Sequence, residues 1–90
     1  MTTNDRIALC YRADVSDPGT ARELQHRIIP ALQREATELA NCRRQCQPVP
    51  AWAADWKDAG MEDLEQRIHD AILEGMTRLA FDADPNPLSA

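Results

Sequence analysis

The side chains best suited to chemistry in this 90-residue chain are three cysteines and two histidines. Cys42 and Cys46 are four residues apart, a spacing at which two thiolates on one helix can bind a zinc ion. His26 lies sixteen residues before Cys42, about 24 Å away along a straight helix, so within one chain it cannot complete the site unless Pro30 folds the helix back. Cys10 and His69 could complete it, but nothing in their positions requires this. Because Cys42 and Cys46 fall on the apolar stripe of a predicted helix, we interpret them as buried thiols and expect no metal and no cofactor.

An enzymatic role has little support in the sequence. The three glycines are isolated, so the chain lacks a glycine-rich loop that could bind phosphate. No Ser, His and acidic residue are arranged in a recognisable catalytic pattern. His69 lies at the edge of an apolar helical stripe, where a half-buried structural role is the usual one. We therefore predict no catalytic residue and no enzymatic activity.

Two tryptophans, Trp52 and Trp56, stand one helical turn apart. Tryptophan is enriched at the hot spots of protein interfaces. It is also a large core residue, and the chain has few other aromatic residues, one Phe and one Tyr. Both interpretations stay open at this point, and we take Trp52 and Trp56 as candidate protein-binding residues.

Acidic residues form a series through the last two predicted helices. A solvated helical face explains such a series most simply. The alternative is an acidic surface that competes with DNA or RNA for a basic protein. The series comprises Asp55, Asp58, Glu62, Asp63, Glu65, Asp70 and Glu74. The candidate residues for binding such a protein are Asp55, Asp58, Glu62 and Glu65.

The elements that must position these residues begin with residues 5–15, whose pattern fits two secondary structures. The apolar residues from Ile7 to Val15 alternate, which is typical of a strand, but several of them also share one helical face. A lone strand needs a partner strand, and the chain shows no second one. We therefore favour a helix here; a strand would pair with its copy in a second chain.

A long helix is predicted from about residue 20 to residue 47. Thr20 and Glu23 match a capping box at its start, and its apolar stripe follows the helical period. Pro30 interrupts this pattern, because proline removes one backbone hydrogen bond and clashes with the preceding turn. The helix either kinks at Pro30 or splits there, with Pro30 opening the second half. Pro50 can begin a short helix that carries the two tryptophans.

The clearest prediction is a C-terminal helix over residues 61–81. Its apolar face contains a seam of small residues, Ala71 and Gly75. Since glycine inside a helix costs about 1 kcal/mol relative to alanine, we expect another helix to approach closely at this seam. Three further residues widen the apolar face to nearly half of the circumference: Leu73, Met76 and Ala80. One antiparallel neighbour would not cover so broad a face, so we expect a homodimer. The predicted core comprises Leu24, Ile28, Leu32, Leu39, Leu64, Ile68, Ile72, Met76 and Leu79.

Composition places these elements in one class of fold. Hydrophobic residues make up 43% of the chain and charged residues 28%, which is typical of a globular domain. Alanine and leucine dominate the apolar set, and both favour helices. We predict an all-α fold: a small helical bundle in which one long, proline-interrupted helix packs on the C-terminal helix and short helices complete the core. Residues 1–81 form the single domain and residues 82–90 a flexible tail.

Charge and the absence of targeting signals limit the function. A net charge of −5 argues against direct binding to nucleic acid. The sequence lacks an apolar run long enough for a membrane span and a recognisable signal peptide, so we expect no membrane binding and a cytoplasmic location.

The leading functional hypothesis is a small non-enzymatic protein-binding or regulatory module that acts through its surface as a homodimer. The first alternative is an acidic inhibitor of phage type, similar in size and charge to anti-CRISPR or anti-restriction proteins, that blocks a nucleic-acid-binding protein. The second alternative is a Cys-based metal-binding protein.

Overall fold

The computed structural model describes residues 1–56 and 60–81, and of Asp55 and Trp56 it describes the backbone alone. An N-terminal helix, Thr3–Arg12, leads to a long central helix made of the segments Pro18–Glu23, Leu24–Ile28 and Ile29–Arg44. A short 3-10 helix, Ala51–Trp56, precedes the C-terminal helix, Met61–Phe81. Within these described residues every regular element is a helix, which confirms the all-α prediction.

The N-terminal helix settles the ambiguity of residues 5–15 in favour of a helix. Its start is a capping box that sequence analysis missed: the Thr2 hydroxyl accepts from the Asp5 backbone N–H, and the Asp5 carboxylate accepts from the Thr2 N–H. Thr3 and Arg6 then attach the helix to the central helix. The buried Thr3 hydroxyl donates to the Glu35 carboxylate, and Arg6 Nη1 donates to Glu35 Oε1 at 3.0 Å.

The central helix begins earlier than its sequence pattern indicated. Asp17 is the N-cap, and its carboxylate accepts hydrogen bonds from the backbone N–H and the hydroxyl of Thr20. These hydrogen bonds, the backbone one first, hold the pKa of Asp17 below its ordinary value. Pro18 occupies the first helical position, where its missing N–H costs nothing. The predicted capping box at Thr20 is therefore wrong, because Thr20 already lies inside the helix.

Pro30 is accommodated by a π-helical turn directly before it. Over Leu24–Ile28 the helix widens, and the Ile29 N–H bonds the Leu24 carbonyl, five residues back instead of four. The α-helix resumes at Ile29, which leaves Pro30 in the first turn of the second segment. A first-turn position tolerates proline because its N–H would have no partner within the segment. The helix does not split at Pro30: it stays joined through the wide turn, and Pro30 opens the second α-helical segment.

The central helix ends at Arg44, three residues before the predicted end. The Gln47 N–H bonds the Cys42 carbonyl at 2.8 Å and the Cys46 N–H bonds the Arg43 carbonyl at 3.3 Å, the two hydrogen bonds of a Schellman motif. Cys46 takes the left-handed position of this motif, with φ +55°, and its side chain is exposed. The prediction that Cys46 is a buried thiol on the helical stripe is wrong for this reason, whereas Cys42 is buried as predicted.

The central and C-terminal helices pack antiparallel and build most of the core. Arg43, near the end of the first, contacts Glu65 near the start of the second, while Ile29 lies against Gly75. Six of the nine predicted core residues are at most 5% exposed, and two more, Ile72 and Leu79, are partly buried against them. The six are Leu24, Ile28, Leu32, Leu39, Leu64 and Ile68.

Met76 is the exception among the predicted core residues, and its placement in the core is wrong. Its side chain is 52% exposed, because the helices of the chain cover other sectors of the C-terminal helix. The predicted seam of small residues is confirmed, since Ala71 is fully buried and Gly75 lies within the core. Residues 82–90, predicted to be a flexible tail, lie outside the described residues.

Candidate protein-binding surface

The N-terminal helix fills one side of the junction between the two long helices. A Cβ atom built on Gly75 would lie 3.1 Å from Ile29 Cδ1 and 3.3 Å from Cys10 Sγ, so three helices meet closely at this glycine. Arg78, one turn further along, donates from Nη1 to the Cys10 carbonyl at 3.0 Å and from Nη2 to the Ala13 carbonyl. Its guanidinium thereby satisfies carbonyls at the end of the N-terminal helix, where the helix dipole favours a cation.

The other side of the same junction is an open groove. Its volume is about 420 Å³, and its walls come from the central and C-terminal helices. None of the lining residues is an Asp, Glu, Lys or Arg. The groove is lined by Gln33, Ala36, Thr37, Ala40, His69 and Ile72. The two alanines have small side chains, so the central-helix wall is shallow; Ala36 is buried at its base and Ala40 is partly exposed.

An apolar ridge runs beside this groove on the C-terminal helix. Leu73, Met76 and Ala80 follow one another at spacings of three and four residues, so they share one face of the helix. Leu73 is 66% exposed and Met76 is 52% exposed. His69 and Ile72, which line the groove, are four residues before Leu73 and Met76, so the ridge adjoins the groove. We name these three residues the ridge and the six lining residues the groove.

An ion pair lies where the central helix ends and the C-terminal helix begins. Arg43 Nη2 donates to Glu65 Oε2 at 2.9 Å, and Arg43 Nη1 lies 3.8 Å from Glu62 Oε1. Glu65 is buried, so its carboxylate belongs to the helix junction and is not available on an exposed acidic face. The Glu62 side chain is exposed. Asp63, another member of the acidic series, pairs with Arg67 one turn later at 3.0 Å.

Trp52 joins the 3-10 helix to the central helix. Its side chain is half-buried and packs against the core, and its indole N–H donates to Glu38 Oε2 at 2.8 Å. Trp52 therefore has the structural role considered for it, and it does not line the groove. The side chains of Trp56 and Asp55, and all of Asp58, lie outside the described residues. A protein-binding role for these residues stays a prediction.

The thiols do not form a metal site in the described part of the chain. Among residues 1–56 and 60–81, without the side chains of Asp55 and Trp56, no three His, Cys, Asp or Glu residues are grouped closely enough to bind a metal ion. Cys10 is fully buried, and burial raises the pKa of its thiol to about 11, with Arg78 acting in the opposite direction. Cys46 is the exposed thiol.

The groove was not predicted as such from the sequence, although its signal was present. Ala36 belongs to the apolar stripe of the central helix, and Ala40 flanks that stripe one turn later. Small residues at successive turns leave a depression when a second helix packs beside them.

None of the described helices combines the length and the hydropathy that crossing a membrane requires. No protein-family model, curated protein or solved structure matches this chain.

Proposed function

We propose that this chain is a non-enzymatic protein-binding module that acts through the groove and the ridge. The observation that carries the proposal is the adjacency of the two: a shallow, uncharged groove beside large exposed apolar side chains at Leu73 and Met76. Single exposed apolar residues are common on protein surfaces and need no explanation. A row of them along one helical face, next to a depression, suits a partner that buries both.

The shape of the groove favours a helical partner. It lies between two antiparallel helices, and an amphipathic helix laid along such a groove buries anchors spaced three and four residues apart. Such a partner would complete the packing of the C-terminal helix as the N-terminal helix does on the other side. The absence of charge on the groove residues fits an apolar anchor and offers no site for a phosphate or a metal ion.

The experiment is site-specific photocrosslinking in the cells that produce the protein. A benzophenone amino acid replaces Leu73 on the ridge, and in a control chain it replaces Gln25, an exposed residue near the start of the central helix. We expect a light-dependent protein adduct from position 73 that is absent from position 25 and is lost when Ala40→Lys is added to the groove. Equal adducts from both positions, or no adduct from position 73, would refute the proposal.

The acidic inhibitor is not adopted as a second candidate. Of the four acidic residues proposed for it, Glu65 is buried in its ion pair with Arg43, and Asp55 and Asp58 contribute no described side chain. Glu62 alone is both described and exposed. Among the described residues of this set, one carboxylate that already lies within 4 Å of Arg43 does not make an acidic binding surface.

A further inference from the structure

We infer that the occupant of the groove is a second copy of this chain, related to the first by a twofold axis that places each ridge in the partner's groove. This inference rests on the proposed function, because it names the partner of the same surface. It extends the expectation of a homodimer by assigning the dimer contact to particular residues.

The groove and the ridge together form a surface that is complementary to itself. An interface with twofold symmetry uses the same patch on both subunits, so that patch must contain both the projecting and the receiving parts. Here the projecting side chains, Leu73 and Met76, and the receiving wall, Thr37 and Ala40, lie on one side of one helix pair. A twofold rotation therefore brings two ridges to two grooves at once.

The charge distribution of the chain favours contact at this surface. Two copies with a net charge of −5 each repel one another at most orientations. The groove and the ridge together contain no Asp, Glu, Lys or Arg, so their contact requires no charged side chain to be desolvated. Charged residues of the C-terminal helix, such as Asp63, Arg67 and Arg78, engage partners within their own chain instead. This uncharged face is where copies of an acidic chain can approach most closely.

The area of the contact limits the strength of the dimer. From His69 to Ala80 the face is about 16 Å long, and two packed helices make it about 20 Å wide, which gives on the order of 300–400 Å² per copy. A stable complex buries about 800 Å² per partner. The contact is thus smaller than that of a permanent dimer, and we expect a reversible one whose population rises with protein concentration.

The test is sedimentation equilibrium of the purified chain from low micromolar to millimolar concentration. We expect the average mass to rise from 10.1 kDa towards twice that value. Met76→Glu on the ridge and Ala40→Lys in the groove should each keep the chain monomeric. Asn4→Glu is the matched control for the first variant, because it adds the same charge at an exposed position of the N-terminal helix, on the other side of the junction, and should leave the association unchanged.

An equimolar mixture of Met76→Glu and Ala40→Lys chains gives the decisive result. In a mixed dimer one contact pairs the new glutamate with the new lysine, while the other contact keeps the original ridge and groove. We therefore expect the mixture to dimerise although neither variant does so alone. Thermal unfolding followed by circular dichroism verifies that each variant is folded.

Failure of this inference differs from failure of the proposed function. A chain that stays monomeric at every concentration, or a mixture that does not regain the dimer, overturns the inference. If position 73 then crosslinks to a protein of another mass, the binding surface stands and the second copy is excluded as its occupant. If position 73 yields no adduct either, both proposals are wrong.

Discussion

Arg78 should contribute more to stability than the exposed Arg12 of the N-terminal helix, although it lies sixty-five residues or more from the residues it contacts. Its guanidinium donates to the carbonyls of Cys10 and Ala13, which close the N-terminal helix. Hydrogen bonds that involve a charged group contribute about 1.5–3 kcal/mol each, and a cation at a helix C-terminus adds about 0.3–1 kcal/mol. Water can partly replace the lost donors at these part-buried carbonyls. We therefore expect Arg78→Met to lower the free energy of unfolding by about 2–3 kcal/mol.

Two further variants separate the geometry of the side chain from its charge. Arg78→Lys retains the cation but not the fork of donors, so it should recover about half of the loss. Arg12→Met removes an exposed cation from the last turn of the N-terminal helix and should lower the free energy of unfolding by about 0.5 kcal/mol or less. Urea unfolding followed by circular dichroism measures the free energy of unfolding of all three variants. The values are compared with the dependence of that free energy on urea concentration held the same for all of them. Equal losses for Arg12→Met and Arg78→Met would refute the reasoning, as would a loss below about 0.5 kcal/mol for Arg78→Met.

Three other substitutions or modifications follow from the same contacts. Gly75→Val should destabilise the fold by about 1–3 kcal/mol, because its methyl groups would overlap Ile29 and Cys10. Gly75→Ala should cost less, since the gain in helix propensity offsets the closer contact. Urea unfolding of both variants tests this order. Cys46→Gly should stabilise the protein by about 0.5–1 kcal/mol in the same assay, because glycine adopts the left-handed conformation without strain, and a loss of stability would contradict that account. With a thiol reagent at pH 8, Cys46 should react at once, because its thiol is exposed. Cys10, whose buried thiol has a pKa of about 11, should react only when the protein unfolds. A single reaction rate for all three cysteines would show that burial does not control their reactivity.

Sequence patterns predicted the elements whose causes are local. The C-terminal helix matches its predicted bounds because the apolar period continues without interruption from Met61 to Phe81. The interruption at Pro30 was equally clear, since a proline inside a helix always removes a hydrogen bond. The form of the interruption was not, because a kink, a split and a wide turn all accommodate the missing hydrogen bond, and the local sequence does not distinguish them.

The ends of the central helix were misplaced for a related reason. Thr20 and Glu23 have the residue types of a capping box, but Asp17 followed by Pro18 is a competing start of equal quality. At the other end, the helical spacing of apolar residues in the sequence continues to Cys46. A Schellman motif stops the helix first, and it does so with a cysteine where glycine is usual.

The candidate site was predicted in part. The breadth of the C-terminal apolar face indicated that the chain could not cover it, and Leu73 and Met76 are indeed exposed. Periodicity could not tell which sector the N-terminal helix covers, so Met76 was assigned to the core. Glu65 was assigned to an exposed acidic series because its partner, Arg43, is twenty-two residues away in the sequence, and a local pattern does not show such a contact.

The wide turn before Pro30 has a consequence for how this chain tolerates changes of length. Deleting one residue from a packed helix normally rotates everything beyond it by about 100° and turns the apolar stripe away from the core. Over Leu24–Ile28, however, the hydrogen bond spans five residues where an α-helical turn spans four, so the turn holds one residue in excess. A chain that loses a single exposed residue here, such as Gln25, and replaces Pro30 by alanine can run as one regular helix with both halves of the stripe still facing the core. This stretch is therefore the place in the central helix where evolution, or an engineer, can shorten the protein without refolding it.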